Sequence, residues 1–143
     1  MTAAGTIAPG SAAPAVPALR LVELVDDLPG FPGQRAFVRV PTGAAPLEWL
    51  QAVDPGGPRF LVVPPAGYAP GYAPRLPGPV LAEIGLDAGA DPELLCLVTV
   101  PDGDASRATM NLRAPLVLDP ATGRGCQVVL PDGGHPIRHP MRR

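Results

Sequence analysis

Residues 35–63, RAFVRVPTGAAPLEWLQAVDPGGPRFLVV, hold three apolar runs of five or six residues parted by turn-forming residues. In 35–40, Ala36, Val38 and Val40 fall on one face of an extended chain and Arg35, Phe37 and Arg39 on the other, before Pro41 and Gly43 end the run. Residues 48–53 stop at Asp54-Pro55-Gly56-Gly57, where aspartate accepts local backbone hydrogen bonds and glycine reaches positive φ. Residues 59–63 are continuously apolar after Arg59, which suits a strand in the middle of a sheet.

The same texture extends both ways. Upstream, 19–25 reads as a strand halted by Asp26-Asp27-Leu28-Pro29-Gly30. Downstream, 64–79 carries six prolines and must be a loop. Residues 79–86 (PVLAEIGL) are the best helix candidate, with proline in the first turn and Gly85 as terminator. Residues 94–100 form a second buried strand, 109–118 a third bent at Pro115, and 126–130 a fourth, with 119–125 as a hairpin loop between the last two. Residues 134–141, broken by Pro136 and Pro140, belong on an edge. Short strands about ten residues apart with one small helix predict an all-β fold, a small barrel-like antiparallel sheet. The domain is expected over 19–143, behind a flexible Pro/Ala/Gly-rich tail over 1–18.

Composition narrows the function. Pro and Gly supply 39 of the 143 residues, yet Leu, Ile, Val and Phe supply 37, enough apolar surface for one core. All 11 basic residues are Arg, which excludes chemistry that needs a Schiff-base or phosphate-loop lysine. A formal net charge of -2 lacks the basic footprint of direct nucleic-acid binding. The sequence shows neither an apolar run of membrane-spanning length nor a leader pattern, so a cytoplasmic, monomeric protein with no membrane association is anticipated.

No catalytic constellation emerges. Cys96, Cys126, His135 and His139 could be drawn together as zinc ligands through the His-x3-His spacing, but the cysteines lie 30 residues apart within apolar runs, and buried thiols are the better reading. Ser11 and Ser106 lack a nucleophile elbow, and Asp102 and Asp104 beside Ser106 suit turn hydrogen bonds. The expectation is a binding protein with no catalytic residues, cofactor or metal. Tyr68 and Tyr72 in the long loop, and Phe31 and Pro32 in the first turn, are placed either to contact a partner or to cap the barrel.

The order of short motifs is more specific than any one of them. LPGFP at 28–32, FVRVP at 37–41, WLQAVD at 49–54 and FLVV at 60–63 are followed by IGL at 84–86, VTVP at 98–101, NLRAPLV at 111–117, RGCQVVL at 124–130 and PIRHP at 136–140. In this order they resemble the bacterial flagellar assembly factor FliW family over about residues 20–141. The resemblance implies a small β-barrel that is not an enzyme. It also implies binding to flagellin and to the RNA-binding translational regulator CsrA, with relief of CsrA repression of flagellin mRNA. The weakly acidic composition suits a basic protein partner.

The sequence departs from the family in one place. Where many relatives are acidic after the fourth strand, residues 64–75 contain no carboxylate. The partner-binding candidates are Phe31, Pro32, Tyr68, Tyr72, Asn111, Arg113, Arg124, Gln127, Arg138 and His139. Asn111 and Arg113 alternate with Met110 and Leu112 and are expected on the face opposite the core, or else to satisfy backbone groups beside Pro115. The alternative function is an all-β peptide- or ligand-binding module on the same scaffold without CsrA binding.

Overall fold

The computed structural model describes residues 20–87, 89–131 and 134–141, so the tail expected over 1–18 lies outside the described residues. The strands are β1 (Arg20–Leu24), β2 (Ala36–Pro41), β3 (Glu48–Ala52), β4 (Arg59–Val63), β5 (Glu93–Thr99), β6 (Thr109–Met110), β7 (Leu116–Leu118), β8 (Arg124–Gln127) and β9 (His139–Pro140). One short helix, α1 (Gly78–Glu83), precedes β5.

The strand order is β9-β6-β5-β4-β3-β2-β1-β8-β7, and a further β5–β7 ladder closes the seven strands from β5 round to β7 into a barrel. The ladders are antiparallel except β1–β8, which runs parallel through Glu23–Arg124 and Leu24–Gly125. A hairpin cannot join parallel neighbours, so this pair closes the barrel between segments a hundred residues apart in sequence.

Side-chain alternation fills the interior. Val22, Leu24, Phe37, Leu50, Ala52, Val62, Leu95, Leu116 and Leu118 form the buried barrel core. Burying each Leu or Phe contributes about 1.5–3 kcal/mol. On β2 the inward residues are Phe37 and Arg39, while Val38 and Val40 face outward. Two further buried clusters lie outside the barrel wall. Val117, Cys126, Val128 and Leu130 pack with Ile84 under α1 and the loop before it. Val63, Cys96, Met110 and Leu112 pack under Tyr68, Ala69 and Tyr72.

Three expected elements are shorter than their apolar runs. The strand expected over 109–118 is two strands, β6 and β7, separated by a bend over 111–115. Asn111 Oδ1 accepts from the backbone N–H of Arg113 at 3.0 Å and of Ala114 at 3.1 Å, which turns the chain out of extended geometry. The strand expected over 126–130 is β8, two residues earlier. Beyond it Val128 and Leu130 donate to the carbonyls of Pro115 and Arg113, so the bend takes over where the ladder stops. Of 134–141 only β9 pairs, antiparallel with β6 on the sheet edge, as its prolines require.

Candidate functional site

The expected partner-binding residues fall in three places. Phe31 and Pro32 sit in the β1–β2 turn, where Phe31 bridges back to Leu28 and packs edge-on against Phe60 with ring centroids 5.1 Å apart. Phe31 keeps 37% of its surface exposed, and Pro32 is exposed beside it. Arg124 and Gln127 lie on β8. Arg124 reaches the Glu83 carbonyl at the end of α1 at 3.4 Å, while Gln127 Nε2 donates to the Ala114 carbonyl at 3.1 Å.

The third group converges on the outside of β5 and β6. Tyr68 and Tyr72 are half-buried and pack on the Val63–Cys96–Met110–Leu112 cluster, so both act as caps. The Tyr72 hydroxyl donates to the Leu112 carbonyl at 2.5 Å, and burial, with Cys96 close by, pushes its pKa upward. The C-terminal segment grips the same loop. His139 Nε2 lies 3.3 Å from the Tyr68 carbonyl, which only accepts, so Nε2 carries the hydrogen. The His135 ring meets Tyr72 edge-on at 5.3 Å. Asn111 and Arg113, expected to share an outward strand face, instead occupy the bend, where Asn111 satisfies backbone donors; Arg113 is half-buried and Arg138 exposed.

The expectation of buried thiols holds for both cysteines, which are unbridged. Burial raises the Cys96 pKa to about 12, and burial with nearby Glu83 and Asp26 raises that of Cys126 to about 11. Neither is a nucleophile near neutral pH.

Two features were missed in the sequence. At one end of the barrel, inward-facing Arg39 is only 6% exposed. Its Nη2 lies 2.6 Å from Glu48 Oε1 and its Nη1 2.8 Å from Glu93 Oε1, with Arg20 joining Glu93 at 3.4 Å. Burial pulls the guanidinium pKa down, but hydrogen bonds to Glu93 and Glu48 outweigh it and the net shift is upward. Beside this network the 119–123 hairpin walls a cavity of about 280 Å³. The available signal was Arg39 sharing the Phe37 face. The second feature is the outer wall of β3 and β4, where the Arg59 guanidinium carbon sits 4.1 Å above the Trp49 ring. There the signal was register, since Trp49 pairs with Leu61 and Gln51 with Arg59.

No described helix is long and apolar enough to cross a membrane. The geometry is that of a capped barrel offering side-chain surfaces for contact. Comparison with known proteins agrees. The FliW protein family model matches residues 12–141. The flagellar assembly factor FliW of Moorella thermoacetica is 34% identical over 122 residues, covering 85% of this chain and 77% of that protein. That of Syntrophotalea carbinolica is 34% identical over 121 residues, covering 84% and 85%. A crystal structure of the flagellar assembly factor FliW superposes with a TM-score of 0.78 at 27% identity, covering 86% of each chain. The chain therefore belongs to the FliW family of flagellar assembly factors, a family of regulatory binding proteins rather than enzymes.

Proposed function

We propose that this protein binds flagellin and the translational regulator CsrA in the cytoplasm as a monomer, and that its capture of CsrA relieves repression of flagellin mRNA. The observation that carries this reading is the family match, which runs through the whole barrel in sequence and in fold. Its side-chain architecture supports action by contact, because the candidate residues cap, brace or lie exposed on the barrel and both thiols are buried. Among them Phe31, Pro32, Arg124 and Arg138 retain the exposure a contact needs, whereas Tyr68, Tyr72, Asn111, Gln127 and His139 would act by holding the surface in shape.

A second reading, a peptide- or ligand-binding module without CsrA binding, is favoured by one observation. Residues 64–75 contain no carboxylate, and both tyrosines of this loop are spent in packing. Co-purification of the full chain with flagellin and with CsrA from the same genome separates the two. Retention of both at micromolar concentration supports the first reading. Retention of flagellin without CsrA supports the second, and retention of neither removes the first.

A further inference from the structure

Among the described residues, the chain covers one side of its own barrel wall. Over β5, β7 and β8 the outer apolar residues lie beneath α1, the 64–79 loop and the C-terminal segment. On β1–β3 and at Arg59 and Leu61 of β4 the outward residues remain open in whole or part, whereas Val63 at the end of β4 is buried under the 64–79 loop; an antiparallel wall facing water should be polar on its open side. Leu21 pairs with Val38, Val40 with Trp49, and Trp49 with Leu61, so these side chains share one face. Leu21 is 65% exposed, and Val53, two residues beyond Gln51 on the same face, is 55% exposed. Within this apolar field stands Arg59, its guanidinium carbon over the Trp49 ring. Among the described residues no carboxylate pairs with Arg59, in contrast to Arg20, Arg35, Arg39 and Arg107.

We infer that the outer face of β1–β4 is the docking surface for an amphipathic helix bearing a carboxylate, with Trp49 as apolar anchor and Arg59 as charge partner. The inference rests on the proposed flagellin-binding role and assigns that contact to a place. Contiguous exposed apolar surface on a small domain marks an interaction site, and Trp and Arg are the residue types that most often dominate contact energy. The Arg59 guanidinium carbon lies over the indole. The N–H fork of a guanidinium lies in the plane of the group, where a carboxylate is bound in two-point fashion.

The occupant is a helix because of how the strands are paired. Each of β1 to β4 is bonded on both sides, so this face has no free ladder groups for an extended peptide. A helix satisfies its own backbone and needs only an apolar stripe. Four strands at about 4.8 Å spacing span roughly 14 Å, wide enough for a helix about 10–12 Å across. A basic segment is disfavoured beside Arg59, where it would place like charges together; the carboxylate this face does carry, Glu23, lies on β1, three strands from Arg59.

The test measures the affinity of the full chain for flagellin monomer from the same genome, using Trp49→Ala, Arg59→Glu, Arg59→Lys and, as control, Val129→Glu. Val129 is 67% exposed and lies outside this face. Because Arg59 is exposed, Arg59→Glu should fold normally, which thermal unfolding checks. The inference expects at least tenfold weaker binding for Trp49→Ala and Arg59→Glu, a loss within about threefold for Arg59→Lys, and no change for Val129→Glu. Wild-type affinity in folded Arg59→Glu and Trp49→Ala overturns the docking surface while leaving flagellin binding intact. Failure of the wild-type chain to bind flagellin overturns the functional reading and the surface with it. If the wild type is instead a dimer that Arg59→Glu converts to monomer without changing flagellin affinity, the face belongs to a second copy and the inference is overturned.

Discussion

Arg39 meets Glu93 fork to fork, with Nη1 2.8 Å from Oε1 and Nη2 2.9 Å from Oε2. The two residues come from β2 and β5, strands that are not neighbours in the sheet, and the pair spans the end of the barrel. Glu48 completes the arrangement through Arg39 Nε at 3.0 Å and Nη2 at 2.6 Å. A charge this deeply placed is tolerable only when it is paired and hydrogen-bonded, because desolvation otherwise outweighs Coulomb attraction.

Arg39→Ala should therefore destabilise the protein by about 2–4 kcal/mol. This is below the value for fully buried pairs, since the Glu48 and Glu93 side chains keep 21% and 25% exposure and recover some hydration. Arg39→Lys should recover only part of the loss, because an ammonium cannot hold two carboxylates in the planar two-point geometry. Urea unfolding of the three proteins measures the order; equal stability of the Ala variant and wild type would show that the network contributes nothing.

Both cysteines should be silent to a thiol reagent at pH 8 in the folded protein and reactive in denaturant. Their pKa values, raised to about 12 and about 11, leave almost no thiolate at that pH, and burial blocks access. Folding also holds the proton more tightly than the unfolded chain does, whose thiols titrate near 9.0. The resulting stability is complete below pH 9 and is lost as pH rises from there through about 11 and then about 12. Thermal midpoints between pH 8 and 11 should therefore fall more steeply for wild type than for the Cys96→Ala/Cys126→Ala variant.

Much of this fold is legible in the sequence because its strands are short, amphipathic and separated by glycine and proline. The runs at 19–25, 48–53, 59–63 and 94–100 all become strands with ends within one residue of the expected ones. The stretch 109–118 fails because its apolar content continues through a bend. Asn111 replaces ladder partners with its own side chain, and Arg113 and Pro115 accept bonds from a segment far along the chain. Arg39 was hidden for a related reason. A lone arginine in an alternating strand reads as solvent-facing until its acids, 9 and 54 residues away, are seen folded against it. Contact and cap were indistinguishable for Tyr68 and Tyr72, because the surface they cover is assembled from β4, β5 and the 111–115 bend.

Tyr72→Phe should cost about 1–2 kcal/mol. It keeps the ring packed between the two outer clusters but removes the hydrogen bond to Leu112, leaving that carbonyl without its side-chain donor. Tyr72→Ala should cost about 3–5 kcal/mol and open the 64–79 loop to protease, since the ring itself joins the loop to the barrel wall. Limited proteolysis separates the effects. Cleavage within 64–79 should be faster in the Ala variant and near wild-type in the Phe variant.

Gly123→Ala should prevent closure of the barrel. Gly123 has φ +80°, and a Cβ there would fall 2.2 Å from the Leu21 carbonyl oxygen. That oxygen belongs to β1, the partner of β8 across the parallel closing ladder, and Glu23 donates to the Gly123 carbonyl at 2.9 Å immediately beside it. No side-chain rotation relieves a clash with backbone, so either β1 or the hairpin must move and the ladder with it. The left-handed conformation alone costs a residue with a side chain about 1–3 kcal/mol, and the displaced ladder adds to this. The expected outcome is a loss of at least about 3 kcal/mol, or insoluble protein. Gly43→Ala is the matched control. Gly43 has φ +89° and a Cβ there meets nothing within 4 Å, so alanine should cost only the about 1–3 kcal/mol of the left-handed conformation. Equal thermal midpoints for the two variants would show that the approach of residue 123 to β1 does not govern closure.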